Sequence, residues 1–427
     1  MLYPPLEQAV CNYLHYGYLP PEEFPCFLSD LEKYPTLRPT VENTKALFQK
    51  VFNEAIEESV GKGYCIIPLS GGWDSRLLLG YALKTLPTRQ IKTYTFGARG
   101  QLDFDIGKRL ARKANVEHVA FDLNDISLTW GALKKSVAQN PWTHTFDSFY
   151  NKYCYEKMSS GADILLSGFM GDPLTGGHKY KKDGPLVKKI FAHSQAVSIH
   201  KMPLLNDYIP EKALPDILPE TLFSDHQILD LGVRQSRCIA PIISYKKQWD
   251  SWDTSLGKIV GSNAEIISPF IHPKWIHYWL NVPDSQKKER KLYLEFLRET
   301  FPKLANLPSK DFYGAKTGSG MSMIIREKRY YAKMLLNRQY PNVFAQPKEM
   351  LNYLNFNRAF RVREDYRNLL EKAFLLLKEH SLADSLDLEK TKVNHTNYRQ
   401  QHANIFLVFI GLALNLEIEK NRKSNIK

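Results

Sequence analysis

The stretch Tyr64-Cys-Ile-Ile-Pro-Leu-Ser-Gly-Gly-Trp-Asp-Ser-Arg-Leu-Leu-Leu79 decides the fold of this chain. A short apolar run breaks at Ser70-Gly71-Gly72, and a helical pattern of apolar residues follows, so we predict a buried strand, a tight turn and a helix. Glycines let a ligand approach the backbone closely, and a helix N-terminus presents free N–H groups and the positive end of its dipole. The stretch therefore predicts an anion-binding loop, to which Ser70 and Ser75 add hydroxyl donors. Asp74 suits such a loop when a metal ion lies between its carboxylate and a phosphate.

The composition is that of a large globular protein. Its 427 residues are enough for two domains or one large one, and the 43% of hydrophobic residues can form a substantial core. The formal net charge of +13 fits a nucleic acid, an acidic membrane surface or an anionic substrate. Because the basic residues are spread along the chain, solvated basic faces explain this charge as well as a nucleic-acid surface does.

The cysteines and the apolar runs indicate a cytoplasmic protein. No C-x-x-C pair occurs, which argues against structural zinc and against a disulfide framework. The N-terminus lacks a signal-peptide pattern, and the longest apolar run, 405–416, is shorter than the roughly 20 residues that span a bilayer. We therefore expect a reducing, cytoplasmic environment and no membrane span. The cysteines are Cys11, Cys26, Cys65, Cys154 and Cys238.

Strand and helix patterns alternate over the first half of the chain. Strands are predicted over 64–69, 91–97, 117–123 and 163–168, with helices between them. This alternation is typical of a parallel sheet covered on both faces, in which ligands bind at the carboxyl ends of the strands. Ser70, Gly97 and Ser167 are all expected at that edge.

From about residue 185 the pattern changes to helices and long polar connections. We predict a basic helix over 285–300, a loop over 310–320, and helices over 363–379 and 403–419. The organisation that follows is a lead-in segment over 1–45, an α/β domain over 46–235 and a mainly helical part over 236–427.

A second glycine-rich segment follows the fourth predicted strand. It reads Leu166-Ser-Gly-Phe-Met-Gly-Asp-Pro-Leu-Thr-Gly-Gly-His178 and places Asp172 between two glycine clusters. A second carboxylate opposite Asp74 would complete a magnesium shell, with phosphates and water as the other ligands. The two segments together therefore predict a nucleotide and metal site.

These segments resemble a known family. The loop at 70–75 resembles the SGGxDS pyrophosphate-binding loop of the ATP pyrophosphatases, which split ATP to AMP and pyrophosphate. Segments 166–178 and 265–271 resemble the LSGEGADELFGGY and E-x-R-x-P-F-L stretches in the synthetase domain of the asparagine synthetase family, and the resemblance covers roughly 45–315. It implies an α/β fold with a doubly wound parallel sheet of the ATP pyrophosphatase (adenine nucleotide alpha hydrolase-like) type and a mainly helical C-terminal part.

The resemblance also implies roles for individual residues. Asp74 and Asp172 would hold Mg²⁺, Lys291 or Lys310 would neutralise charge on the phosphates, and Glu265 would have a role in the site. The residues expected to bind ATP are Leu69, Ser70, Gly71, Gly72, Asp74, Ser75, Phe96, Gly97, Ser167 and Gly168.

Several positions depart from the family pattern. The loop reads SGGWDSR rather than SGGLDSS, so Trp73 and Arg76 differ from it. Phe169 and Pro173 stand where the family has glutamates, and Ile267 stands where it has an arginine. The resemblance therefore implies ATP activation but not aspartate as the acid, and we expect little or no asparagine formation. The pattern is closer to divergent asparagine-synthetase-like proteins of surface-glycan clusters and to the lasso-peptide macrocyclases.

The source of the amine is a separate expectation. The family's glutaminase half begins with a cysteine after the initiator Met, whereas Leu2 stands here and only about 60 residues precede the loop. We expect no glutamine hydrolysis by this chain, because that reaction needs a cysteine nucleophile. The amine would come as free ammonia, from a separate partner, or on the substrate.

The sequence therefore predicts an AMP-forming amide ligase that acts on a small-molecule or peptide carboxylate. One alternative is an RNA-modifying enzyme such as a tRNA lysidine synthetase, but the H-H-x-x-D-D-type stretch of those enzymes is absent, and nucleic acid is not the expected partner. The other is an inactive nucleotide-binding scaffold, which Phe169 and Pro173 favour. Asp74 and Asp172 argue against it, because a scaffold does not need a carboxylate pair for a metal.

Overall fold

The computed structural model describes residues 33–57, 61, 63–139, 141–142, 145–176, 255–258, 263–316, 320–340, 354–380, 388–397 and 403–424, together with 6, 9, 10, 13 and 14. His178, most of the lead-in segment and the expected domain boundary at 235 lie outside these residues. The three-part organisation of the chain stays a prediction.

A six-stranded sheet forms the centre of the α/β part. Its order is β3-β2-β1-β4-β6-β5, and every neighbouring pair is parallel except β5 with β6. The predicted α/β fold with a parallel sheet is confirmed. The strands are β1 Tyr64–Pro68, β2 Ile91–Gly97, β3 Glu117–Asp122, β4 Ala162–Leu166, β5 Ser255–Lys258 and β6 Glu265–Ile267.

The chain runs outward from β1 to β3 and then returns to the other side of β1 to form β4. The strand order therefore reverses between β1 and β4, and crevices at such switch points are where open α/β sheets bind ligands. The loop at 70–75 follows β1 and the segment at 167–172 follows β4. The fold thus brings both predicted segments to the same crevice.

Helices cover the sheet and form a second cluster beside it. They are α1 Val41–Glu57, α2 Asp74–Thr85, α3 Leu102–Ala114, α4 Trp130–Gln139, α5 Thr145–Met158, α6 Gly171–Leu174, α7 Pro273–Leu280, α8 Asp284–Lys287, α9 Lys291–Thr300, α10 Pro302–Ala305, α11 Gly320–Gln339, α12 Phe356–Val362, α13 Glu364–Lys378, α14 Leu388–Thr396 and α15 Ala403–Ser424. None of the helices in the described part combines the length and the apolar character needed to cross a bilayer.

Two apolar cores result. In the first, Ile66 and Ile67 of the central strand β1 are fully buried, as expected for a parallel strand covered on both faces. In the second, Phe374 of α13 packs against Phe406 and Phe409 of α15. The first core fixes the crevice between β1 and β4, and the second supports the C-terminal helices.

The predicted helix over 285–300 is interrupted. A 3-10 turn, Lys288–Arg290, separates α8 from α9, and Glu289 and Arg290 have φ values of +56° and +58°. The left-handed region is unfavourable for residues other than glycine, so the surrounding contacts must hold this turn in place. Strands β5 and β6 also differ from the prediction, because the sequence predicted a mainly helical part from 236 onward.

Candidate active site

The loop after β1 is anchored to its neighbours before it turns into α2. The Leu69 N–H donates to the Tyr94 carbonyl at 2.7 Å, and Thr95 Oγ1 donates to the Leu69 carbonyl at 2.8 Å. Gly107 of α3 packs so closely that an added Cβ would lie 2.1 Å from Thr95 Oγ1. Only glycine lets α3 approach β2 and the base of the loop at this distance.

Within the loop, the two serines bond to each other and to the backbone. The Ser70 N–H donates to Ser75 Oγ at 3.2 Å, and the Gly72 N–H donates to Ser70 Oγ at 3.1 Å. The two hydroxyl oxygens lie 3.3 Å apart. Both predicted hydroxyl donors therefore lie at the N-terminus of α2, where the helix dipole favours an anion.

The backbone N–H and carbonyl of Gly71 make four hydrogen bonds in total. Its N–H donates to Asp103 Oδ1 at 2.6 Å. Its carbonyl accepts from the Lys310 N–H at 3.1 Å, from Ser309 Oγ at 3.1 Å and from Arg76 Nη2 at 3.2 Å. The 304–310 segment is thus tied directly to the loop at 70–75.

Arg76 explains part of the unusual SGGWDSR sequence. Its side chain is fully buried, and it donates to the carbonyls of Gly72, Leu304, Leu307 and Pro308 as well as to that of Gly71. Burial lowers the pKa of Arg76 to about 10, so the guanidinium stays charged at neutral pH. The guanidinium also lies 4.6 Å from the ring centroid of Trp73, a cation–π arrangement. Trp73 and Arg76 therefore connect the loop to a segment more than 200 residues away in sequence.

Asp74 and Asp172 lie on either side of one guanidinium. Arg290 Nη2 donates to Asp74 Oδ1 at 2.5 Å, and Arg290 Nη1 donates to Asp172 Oδ1. The Tyr293 hydroxyl donates to Asp74 Oδ1 at 2.7 Å. The fold thus brings together the two carboxylates that the sequence predicted, and it adds Arg290 and Tyr293 from the start of α9.

The segment after β4 packs directly on Asp74. An added Cβ at Gly171 would lie 2.4 Å from Asp74 Cγ, so glycine is required there. The Ser167 N–H donates to the Ile267 carbonyl at 2.7 Å, and Ser268 Oγ donates to the Phe169 carbonyl at 2.8 Å. Phe169 is therefore bonded through its backbone.

Burial raises the pKa of Asp74 to about 6, although Arg290 opposes the shift; the neighbouring Asp172 adds to it. For Arg290 itself, burial lowers the pKa, but the attraction of Asp74 and Asp172 outweighs burial and the net shift is upward. Arg290 therefore remains a cation between the two carboxylates. Its Nε lacks a hydrogen-bond partner among the described residues.

The donor set of the pair suits Mg²⁺ only in combination with phosphates. Among the described residues, no group of three or more His, Cys, Asp and Glu side chains could hold a metal. Mg²⁺ commonly takes one or two carboxylates and completes its shell with phosphate and water oxygens, and Asp74 and Asp172 meet that requirement beside the loop. Arg290 bonds to the Oδ1 atom of each carboxylate, so a metal ion bound to those two oxygens would displace the guanidinium.

Lys291, Lys310 and Glu265 were the other charged residues predicted for the site, and of these Lys310 lies at the loop at 70–75. Its Nζ is 3.4 Å from Asp103 Oδ2. Burial lowers the pKa of Lys310, but the combined attraction of Asp103, Asp172 and Asp311 outweighs burial and the net shift is upward. Lys291 is exposed at the first position of α9, and Glu265 lies at the amino end of β6, opposite the carboxyl edge. The roles of Lys291 and Glu265 stay predictions.

The sequence analysis did not identify Arg290, Tyr293 or Asp103. Arg290 lies within 285–300, for which the sequence predicts one continuous basic helix. The acid at the start of α3 was visible, but the sequence has no signal that it reaches Gly71. Their roles depend on tertiary contacts rather than on local pattern.

Comparison with known proteins identifies a domain within the chain. Residues 47–236 match the family model for asparagine synthase. The 7-cyano-7-deazaguanine synthase of Staphylococcus haemolyticus (strain JCSC1435) is 31% identical over 77 residues, which are 18% of this chain and 34% of that protein. The chain thus spans about a third of the length of that relative. The solved structure of NMN synthetase from Francisella tularensis aligns with 60% of this chain and 96% of its own, at 14% identity and a TM-score of 0.23.

Proposed function

We propose that this chain, in which residues 47–236 carry an asparagine synthase domain of the PP-loop ATP pyrophosphatase type, is an ATP-dependent ligase that forms AMP and an amide. The observation that supports this most is the convergence of the loop at 70–75 with Asp74 and Asp172 in the crevice between β1 and β4. An anion-binding helix N-terminus beside two carboxylates suits a magnesium-bound triphosphate.

The proposed reaction has two steps. An oxygen of the substrate carboxylate attacks the α-phosphorus of ATP, and pyrophosphate leaves. An amine then attacks the carbonyl carbon of the acyl-adenylate, AMP leaves, and the amine proton passes to water or to a base. The site contributes by positioning the reactants and by stabilising charge.

Each group of the site has a part in that scheme. The serine hydroxyls and the N–H groups at the start of α2 would hold pyrophosphate, and Lys310 would neutralise charge beside Gly71. Asp74 and Asp172 would hold Mg²⁺, which supplies charge neutralisation to the phosphates when bound. Arg290 leaves the pair on binding and is then available to the phosphate oxygens. The remaining predicted residues, Leu69, Phe96, Gly97, Ser167 and Gly168, would line the adenosine.

Aspartate is not the acid we propose. Phe169 follows Ser167-Gly168 beside the loop, and an apolar ring cannot accept the hydrogen bonds with which a carboxylate would orient an amine. The acid and the amine are therefore a different pair, with ammonia, a separate amine-supplying protein or the substrate itself as the source of nitrogen. We place the reaction in the cytoplasm, where ATP is abundant and where buried thiols such as Cys65 stay reduced.

The test is a screen of carboxylic acids with the full chain, ATP, Mg²⁺ and hydroxylamine as a general amine. We expect AMP, pyrophosphate and a hydroxamate in equal amounts with the correct acid, and neither glutamate from glutamine nor asparagine from aspartate. Formation of ADP and phosphate instead of AMP and pyrophosphate would rule out the proposed reaction.

One observation favours a second candidate, a nucleotide-binding scaffold without activity. Arg290 already neutralises the carboxylate pair. The scaffold function would be established, and the ligase function excluded, if the chain binds nucleotide but releases no pyrophosphate. This result must hold for all acids and for Arg290 variants as well.

A further inference from the structure

Helix α11, Gly320–Gln339, follows the turn that carries Lys310 and presents an unusual surface. None of its described residues is buried. Large apolar side chains such as Met321 at 73% and Leu335 at 65% exposure stand beside several basic residues. Within the described part of the chain, this helix therefore contributes no face to a core, which is a common feature of a binding surface.

One stripe of α11 forms the wall of a cavity of about 640 Å³. Residues three, four, seven and eight positions apart share a helix face, and the wall follows that spacing. Tyr313, which precedes the helix, also lines the cavity. The residues of the stripe are Ser322, Ile325, Arg326, Arg329, Tyr330 and Lys333.

The charge of this cavity is entirely positive among the described residues that line it, with Arg326, Arg329 and Lys333 as the charged members. Neither arginine forms a salt bridge within the described part of the chain. The one acid of the helix, Glu327, lies outside the lining and accepts a hydrogen bond from the Tyr313 hydroxyl at 3.2 Å. Guanidinium groups pair with carboxylates in a bidentate geometry, so this arrangement favours a carboxylate ligand.

Tyrosine rings pack against one another beside the cavity. The ring centroids of Tyr313 and Tyr330 are 5.7 Å apart, and those of Tyr330 and Tyr331 are 5.4 Å apart. Tyr313 has a φ of +52°, and this left-handed turn places its ring against α11. Flat ring faces beside guanidinium groups suit a ligand that has apolar faces as well as negative charges.

The cavity is joined to the phosphate-binding loop by a very short piece of chain. Lys310 bonds to the Gly71 carbonyl through its backbone N–H, and Tyr313 follows three residues later. Three residues span at most about 10 Å, so the cavity wall begins within that distance of the loop. One elongated ligand can therefore reach both places.

We propose that this cavity binds a second, negatively charged part of the acid substrate, which is a short oligomer carrying two or more carboxylates. One carboxylate would be activated at the loop, and that half of the proposal rests on the proposed function. The others would pair with Arg326 and Arg329. A cavity of about 640 Å³ accommodates an oligomer of about two to four units.

The experiment measures binding to the full chain without ATP, by calorimetry, so that it does not depend on the ligase reaction. The probes are tetragalacturonate and tetraglutamate, which distinguish an acidic sugar from an acidic peptide, and their uncharged methyl esters. We expect at least one acid to bind more than tenfold more tightly than its ester, and R326Q/R329Q to lose at least tenfold in affinity. The matched control K328Q changes an exposed cation on the same helix that does not line the cavity, and it should bind as the unaltered chain does.

Three results would overturn the proposal: equal binding of acids and esters, unchanged binding by a folded R326Q/R329Q variant, or tighter binding of a single-stranded oligonucleotide than of either acid. Circular dichroism establishes that each variant is folded. If the acids bind as expected but no acid supports pyrophosphate release, the cavity is retained and the ligase function is excluded.

Discussion

The two sides of the loop at 70–75 differ in which group is held: backbone atoms on one side and a side-chain carboxylate on the other. On one side, the Gly71 peptide is fixed by four hydrogen bonds, two of which come from Arg76 and the Lys310 backbone. On the other side, the Asp74 carboxylate is bonded by the side chains of Arg290 and Tyr293. A peptide fixed from several elements has one geometry, whereas a side-chain ion pair can exchange partners. We therefore call the Gly71 side the framework side and the Asp74 side the exchangeable side, and we expect a ligand to alter the exchangeable side.

The largest effect is expected on the exchangeable side. Asp74→Asn removes a charge but little volume, so we expect pyrophosphate release to fall by at least about 10³-fold while the circular dichroism spectrum is retained. Asp125→Asn, at an exposed acid of the 3-10 turn after β3, is the control and should be fully active. Undiminished release by Asp74→Asn would refute the proposed role of the pair.

On the framework side, the expected effect is on stability. Arg76→Ala leaves five carbonyls without their buried donor, so the free energy of unfolding should fall by about 3 kcal/mol or more, measured by urea denaturation. The exposed Arg89→Ala should change it by less than about 0.5 kcal/mol. Similar values for the two variants would mean that the Gly71 side is not framework.

Arg290 tests whether the ion pair exchanges. Arg290→Met removes the guanidinium that bonds to both carboxylates, so the variant without nucleotide should bind Mn²⁺ at least about tenfold more tightly than the unaltered chain, measured by electron paramagnetic resonance. Lys288→Met alters an exposed cation in the same turn and serves as the control. Equal Mn²⁺ affinity for all three proteins would show that the guanidinium does not occupy the position of a metal.

The smallest effect separates the two functions of Lys310. Its backbone N–H holds Gly71, whereas its side chain pairs with Asp103. Lys310→Met retains the backbone bond, so we expect less than about 1 kcal/mol of lost stability and an ATP affinity about fivefold weaker. A loss of stability as large as that of Arg76→Ala would place the side chain in the framework.

The parts of the fold that the sequence predicts are those governed by local pattern. Strand β2 was predicted with its observed bounds, and β1 and β4 within one or two residues, because buried runs ending in glycine or serine are distinctive. Strands β5 and β6 were missed because Ser255–Lys258 and Glu265–Ile267 are short and gain their strand character only from pairing at the edge of the sheet.

In the candidate site, too, some residues follow from local sequence pattern and others depend on tertiary contacts. The Ser70–Ser75 loop and Asp172 follow from motif and spacing, and the structure brings them together. Arg290 could not be predicted, because its position depends on two consecutive residues in the left-handed region, for which neither is a favoured type. Arg76 and Trp73 were visible as departures from the family pattern, but their carbonyl and ring partners become apparent only from the folded chain.

The bonding of the Gly71 peptide also constrains how such a chain diversifies. Arg76, Asp103 and Ser309 all bond to the backbone of Gly71. Replacing Asp103 removes the acceptor of the Gly71 N–H, and replacing Arg76 or Ser309 removes one of the donors to the Gly71 carbonyl, so changes at these three positions are costly. Phe169 is different, because its hydrogen bonds come from its backbone and its side chain can be replaced without losing them. If the proposed function holds, a change of acid substrate would need substitution only on this side, while the bonding of the loop at 70–75 stays the same.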